Sequence, residues 1–305
     1  MHLAIILKGS VDMKKLIFTG SGVAIVTPFN DTGVDFDKLG ELIEYQITNS
    51  TDAIVICGTT GESSTMPDEE HLSCIEYAVK KVNGRVPVIA GAGSNDTRHA
   101  IRLSQEAEKL GADALLTVSP YYNKATQKGL YLHFKAIAES VKIPLILYNV
   151  PSRTNLNINA ETLQKLSQIE NIVAVKECNF NQVAETMTLC GEDFSVYSGE
   201  DGLVVPCLSL GGKGVISVMA NIIPKDTHDI VNKYLSGDIE TARRLQLNAT
   251  ELIKALFSEV SPVPVKAAMN LMGMGVGNCR MPLTDIADNN LEFLEKALKN
   301  YGLIG

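Results

Sequence analysis

The stretch Ile172-Val173-Ala174-Val175-Lys176-Glu177-Cys178 is a short β-branched run that carries a lysine near its end. Such runs read as buried parallel strands. A strand interior has no cheap place for an ammonium, so Lys176 is expected where the strand leaves the core. Among apolar neighbours it loses solvation and its pKa falls. At an unperturbed pKa of about 10.4, roughly one lysine in a thousand is neutral near pH ~7.4; a fall of about 3 units, costing about 4 kcal/mol, makes roughly half of them neutral. The neutral amine can attack a carbonyl and form a Schiff base. The same residue also reads as a strand-end lysine that snorkels to solvent or pairs with a carboxylate, and its companions have to decide.

Four further stretches follow apolar runs and can be compared with it. Gly58-Thr59-Thr60-Gly61-Glu62-Ser63-Ser64 places two hydroxyls between glycines, which suits a small carboxylate or oxyanion, though it is also an ordinary turn. Ser119-Pro120-Tyr121-Tyr122-Asn123 and Tyr148-Asn149-Val150-Pro151-Ser152-Arg153-Thr154 supply phenols that can pass protons and a guanidinium fork for a carboxylate. Taken singly, Tyr148 also reads as a half-buried core aromatic and Arg153 as a surface ion-pair partner. Gly199-Glu200-Asp201-Gly202 is an acidic turn, read here as a helix N-cap. A lysine, two tyrosines, two threonines and an arginine suit carbonyl chemistry on a small anion: imine, then enamine, then making or breaking a C–C bond. No Ser–His pair, phosphate loop or metal-ligand cluster stands with them, so neither a cofactor nor a metal is expected.

The elements that must position these residues alternate. Apolar runs at Gly22–Thr27, Ala53–Cys57, Val86–Ala90, Ala114–Val118, Pro144–Tyr148, Ile172–Lys176, Ser195–Ser198 and Gly214–Val218 are separated by segments of helical period. Asp35, Pro67-Asp68-Glu69-Glu70 and Asn95-Asp96-Thr97 start three of the helices. The repeat predicts an α/β fold, a (β/α)8 TIM barrel, whose active site lies at the C-terminal ends of the strands. A doubly wound open sheet is the competing fold, but its Gly-rich fingerprint is missing after the first strand. Helical patterns at Ile239–Phe257, Val263–Met272 and Asn290–Asn300 exceed what the barrel needs. They predict a barrel over residues 16–236 and a C-terminal three-helix extension over 237–305.

The first fifteen residues, with a short apolar run and a second methionine at Met13, read as a leader or tag outside the fold. A net charge of −8, with no basic stripe, argues against nucleic-acid and membrane partners. Six scattered cysteines with no C-x-x-C pair read as reduced thiols of a cytoplasmic protein.

Over residues 18 to 305 the chain resembles the dihydrodipicolinate synthase family, within the class I Schiff-base pyruvate aldolases and lyases. The resemblance rests on Gly58-Thr59-Thr60-Gly61-Glu62, on Tyr148 through Thr154, on Val175-Lys176-Glu177 and on Gly214-Val215-Ile216-Ser217-Val218. It implies condensation of pyruvate with aspartate 4-semialdehyde. Lys176 would form the imine, Tyr148 would move the proton, and Thr59 would link it to Tyr122 contributed by a neighbouring subunit. Thr59 and Thr60 would hold the pyruvate carboxylate and Arg153 that of the second substrate, with Gly199 and Ile216 shaping the pocket. It further implies a dimer at least, usually a homotetramer. Lysine-inhibited relatives bind lysine with a set matching Ser63, Ser64, Asp68, His71, Asn95, His99 and Tyr121. His99 stands where strongly inhibited members have Glu, so weak lysine feedback is expected. Cys178 and Asn155 replace a small residue (Ser or Thr) and a Gly common in the family. Two other readings compete: a sister lyase acting on N-acetylneuraminate or a 2-keto-3-deoxy sugar acid, which usually lacks the arginine at position 153, and a non-catalytic metabolite-binding barrel.

Overall fold

The computed structural model describes residues 14–305; the segment read as a leader lies outside them except for Lys14 and Lys15. Each apolar run pairs in parallel with its neighbours in sequence, and the first closes on the last, so the sheet has no edge. The strands are β1 Gly20–Ala24, β2 Ala53–Ile56, β3 Val88–Gly91, β4 Ala114–Val118, β5 Leu145–Asn149, β6 Ile172–Glu177, β7 Ser195–Ser198 and β8 Gly214–Ser217. The TIM barrel expected from the alternation is the fold observed.

Side chains alternate across each strand. Ala24, Val55, Ile89, Leu116, Ile146, Ala174 and Ile216 fill the barrel interior, while Val23, Ile54, Val88, Leu115, Leu147, Val175 and Val215 pack outward beneath the helices. At the N-terminal end Phe18 stacks on Tyr197 with ring centroids 4.3 Å apart, and the Tyr197 hydroxyl donates to the Phe18 carbonyl at 2.7 Å. That plug leaves the C-terminal end as the open end.

The outer helices begin where the caps predict. Asp35 caps α1 (Phe36–Thr48) through the Lys38 amide, and Asp96 caps α3 (Thr97–Lys109) through the Arg98 amide. Helix α2 (Asp68–Val82) carries Asp68, Glu69 and Glu70 in its first turn. The ring continues with α4 (Gln127–Glu139), α5 (Ala160–Leu166), α6 (Val183–Cys190), α7 (Val204–Ser209) and α8 (Pro224–Leu235). After these come α9 (Ile239–Asn248), α10 (Thr250–Leu256), α11 (Val263–Leu271) and α12 (Asp288–Tyr301). The single helix expected over Ile239–Phe257 is therefore two, joined at Ala249. A small hairpin, Phe29–Asn30 with Gly33–Val34, and a one-turn helix, Pro151–Thr154, escaped the sequence reading because both are shorter than any periodicity. No helix of the described residues is long and apolar enough to cross a membrane.

Candidate active site

Strand parity brings the first two residues together. Tyr148 on β5 and Lys176 on β6 are direct register partners, and both belong to the inward-facing set. The Lys176 Nζ lies 4.3 Å from the centroid of the Tyr148 ring. Lys176 is 5% exposed. Burial lowers its pKa, opposed by the negative potential of Cys178, Asp201 and Glu200 and assisted by Arg153.

Two other lysines show what a satisfied one looks like. Lys266 is 1% exposed, and its Nζ donates to Glu62 Oε1 at 2.9 Å, to the Asn278 carbonyl at 2.8 Å and to the Thr27 carbonyl at 3.1 Å. Lys14 donates to the carbonyls of Ile169 and Ile172 beside a cavity of about 770 Å³ at the N-terminal end, and burial holds its pKa near 8. Among the described residues Lys176 enters no salt bridge.

The Tyr148 phenol is pushed well above its usual pKa by burial, with Thr59 and Arg153 pulling the other way. It is protonated at neutral pH and can donate. Thr59 and Tyr148 share a cavity of about 40 Å³ with Gly58, Ser63 and Val118. Thr60, next to Thr59, is buried, and Ile216 is a buried inner residue of β8. Gly199 follows β7, its N–H donating to the Glu177 carbonyl at 2.8 Å. A Cβ there would lie 2.3 Å from the Cys178 sulfur, so only glycine fits beside this thiol. Arg153 sits in the Pro151–Thr154 turn, exposed, with Nη2 donating to the Ser261 carbonyl at 3.0 Å. Asn155 ends that turn at φ 52°, a left-handed conformation Asn accepts more readily than most residues.

The barrel thus gathers Lys176, Tyr148, Thr59, Thr60, Gly199 and Ile216 at one end, with Arg153 on the turn after β5. Residues 17–301 match the profile of the Dihydrodipicolinate synthetase family. The chain belongs to that family. A 4-hydroxy-tetrahydrodipicolinate synthase of Acetivibrio thermocellus is 66% identical over 292 residues, covering 96% of this chain and all of that one. The dihydrodipicolinate synthase of Aquifex aeolicus superposes with a TM-score of 0.92 at 48% identity, over 94% of this chain and 99% of that one. The chloride-inhibited enzyme of Acinetobacter baumannii, in complex with pyruvate, gives 0.91 at 44% identity, over 94% and 99%.

One residue of the expected set stands apart in this family member. Tyr122 is 91% exposed, and its φ of 72° is an outlier for a bulky residue. The set expected to bind lysine falls mostly in a cleft of about 330 Å³ that also takes in Thr59 and Arg153: Ser63, Ser64, Asp68, His71, His99 and Tyr121 line it. Asn95 stands beside it, donating to the Tyr121 carbonyl at 3.2 Å. His99 Nε2 pairs with Asp68 Oδ1 at 2.9 Å, and this bond lowers the Asp68 pKa. His71 is held by the Gly91 carbonyl at 2.7 Å, and burial lowers its pKa.

The structure corrects one reading and adds two. Asp201 does not cap its own turn: it is buried, and its Oδ2 accepts from the Val218 and Met219 amides at 3.1 and 2.8 Å, so it fixes the loop after β8. Glu177, one residue past the lysine, faces outward, and its carboxylate accepts from Asn149 and Gln182 at 2.8 Å and from the Asn179 amide at 2.7 Å. The Asn149–Glu177 bond couples the strands that carry Tyr148 and Lys176. The Lys266–Glu62 pair had one trace in the sequence, a lone charge in the otherwise apolar start of Val263-Pro264-Val265-Lys266-Ala267-Ala268.

Proposed function

We propose that this chain condenses pyruvate with L-aspartate 4-semialdehyde to 4-hydroxy-tetrahydrodipicolinate, a step of diaminopimelate and lysine biosynthesis. The observation that carries the reading is the buried, register-paired Lys176 and Tyr148, in a chain whose relatives carry that activity in their names. The neutral Lys176 amine attacks C2 of pyruvate, and loss of water leaves the imine. Removal of a C3 proton gives the enamine, which adds to the aldehyde of the second substrate. Attack of that substrate's amine on C2 expels Lys176 and closes the ring. Tyr148 relays the protons. Thr59 and Thr60 hold the pyruvate carboxylate, Arg153 meets the carboxylate of the semialdehyde, and Gly199 and Ile216 shape the wall.

Tyr122 belongs to this proposal as a residue given to a second copy. A bulky side chain held in a left-handed conformation and almost wholly exposed calls for a partner that stabilises it. We therefore assign the chain to a homodimer at least, with a homotetramer as the expected assembly, in the cytoplasm. The division into a barrel over 16–236 and an extension over 237–305 is part of the same reading.

The test is the coupled rate with pyruvate plus aspartate 4-semialdehyde, run beside pyruvate release from N-acetylneuraminate and 2-keto-3-deoxygluconate. Turnover of the first pair alone is expected. Turnover of a sugar acid alone would refute the assignment of Arg153 and keep only the imine. Borohydride with pyruvate should add mass to the wild type and none to Lys176→Ala.

A further inference from the structure

The Thr59–Thr60 turn is secured from the far end of the chain. Its last residue, Glu62, is 3% exposed and adopts φ 56°, ψ 34°, a conformation that non-glycine residues avoid. Its N–H closes the turn on the Thr59 carbonyl at 3.0 Å. Its carboxylate is divided between two elements of the extension. Oε1 accepts from Lys266 Nζ of α11 at 2.9 Å, and Oε2 accepts from the Arg280 amide at 2.8 Å. Lys266 uses its remaining two hydrogens on the Thr27 and Asn278 carbonyls. The Phe29 ring lies under both cations, 4.6 Å from Lys266 Nζ and 3.9 Å from the Arg280 guanidinium, which in turn binds Glu70 at 2.7 Å. The Thr27 hydroxyl holds the same turn from the barrel side, donating to the Gly61 carbonyl at 2.7 Å.

A buried ion pair is weak evidence for stability, because desolvation offsets the attraction. What this one does without ambiguity is fix geometry. We propose that Glu62 is a positioning residue for the substrate carboxylate, held in register by Lys266 and Arg280 of the C-terminal extension. The extension thereby completes the active site instead of only flanking it. The proposal rests on the Schiff-base reading above, since it assigns Thr59 and Thr60 to pyruvate.

The experiment uses the full chain and measures borohydride-trapped mass against pyruvate concentration, beside the melting temperature. In Lys266→Met, which keeps length and removes the charge, half-saturating pyruvate should rise about tenfold, the equivalent of ~1.4 kcal/mol. In Glu62→Gln, which keeps the shape, the rise should be about threefold. Ile137→Ala hollows the core beneath α4, which packs on α3 and α5 and not on the extension, and serves as the structural control: melting temperature falls and half-saturation stays. Unchanged half-saturation in a folded Lys266→Met, or an equal rise in Ile137→Ala, overturns the proposal. If Lys266→Met fails to fold, Glu62→Gln decides, and an unshifted curve overturns it. A wild type that traps no pyruvate would instead overturn the Schiff-base reading, and the positioning role would fall with it.

Discussion

Glu177 lies directly after Lys176 and gives a sharp test, because it sits behind the site and not in it. Three donors serve its carboxylate, yet burial outweighs them and raises its pKa from 4.5 to about 7. Between those values the folded chain keeps a proton that the unfolded chain has released. The native state therefore binds more protons, and stability falls as pH rises through the window. At ~1.36 kcal/mol per pH unit, the loss comes to about 3 kcal/mol once the group is ionised in both states. The wild-type profile alone does not isolate it, since His133 works in the opposite sense. Burial holds that imidazole near 4 instead of 6.5, so the unfolded chain takes up a proton first as pH falls and stability is lost toward acid. The informative quantity is the difference between wild type and Glu177→Gln, in urea unfolding at fixed protein concentration. It should be followed by far-ultraviolet dichroism and tyrosine emission, as the chain has no tryptophan. The glutamine is neutral throughout, and its mismatched amide adds an offset that does not change with pH. The variant should gain about 2.5 kcal/mol on the wild type between pH ~5 and ~8. A difference constant to within ~0.5 kcal/mol over that range would refute the reasoning.

Three further outcomes follow from the same geometry. Gly199→Ala should lower stability by about 1–3 kcal/mol by overpacking against the Cys178 sulfur, and Cys178→Ala in the same chain should recover most of it; thermal melts of the four-member cycle without that recovery would move the blame to the Glu177 carbonyl, 3.2 Å away. His133→Gln should flatten the acid limb between pH 6.5 and about 4, and an unchanged limb in acid titration monitored by dichroism would exclude His133 as its source. Lysine at roughly millimolar concentration should inhibit weakly, because the cleft presents His99 already paired with Asp68 where an unpaired carboxylate would meet an ammonium; strong inhibition in a steady-state assay would contradict this.

Much of this protein was legible from the chain alone. Eight short apolar runs separated by helical periods leave few ways to bury both faces of every strand, and a closed parallel barrel is the one observed. The ends of those runs also told which residues could meet at one face: Tyr148 and Lys176 each end an apolar run, so each emerges at the same end of the barrel. Local rules carried the caps at Asp35 and Asp96, because a cap needs only residues a few positions apart. What the sequence could not reveal are pairings fixed by three-dimensional proximity. That Tyr148 faces Lys176 in register depends on a bulge between Leu145 and Ile146. That Asp201 serves the loop after β8, that Asn149 meets Glu177, and that Glu62 meets Lys266 at 204 residues' remove depend on barrel closure. Composition and spacing set which groups a chain possesses. Which of them lose water together, and so which become reactive and which are quietly satisfied, is decided only when the fold brings distant strands and helices into contact.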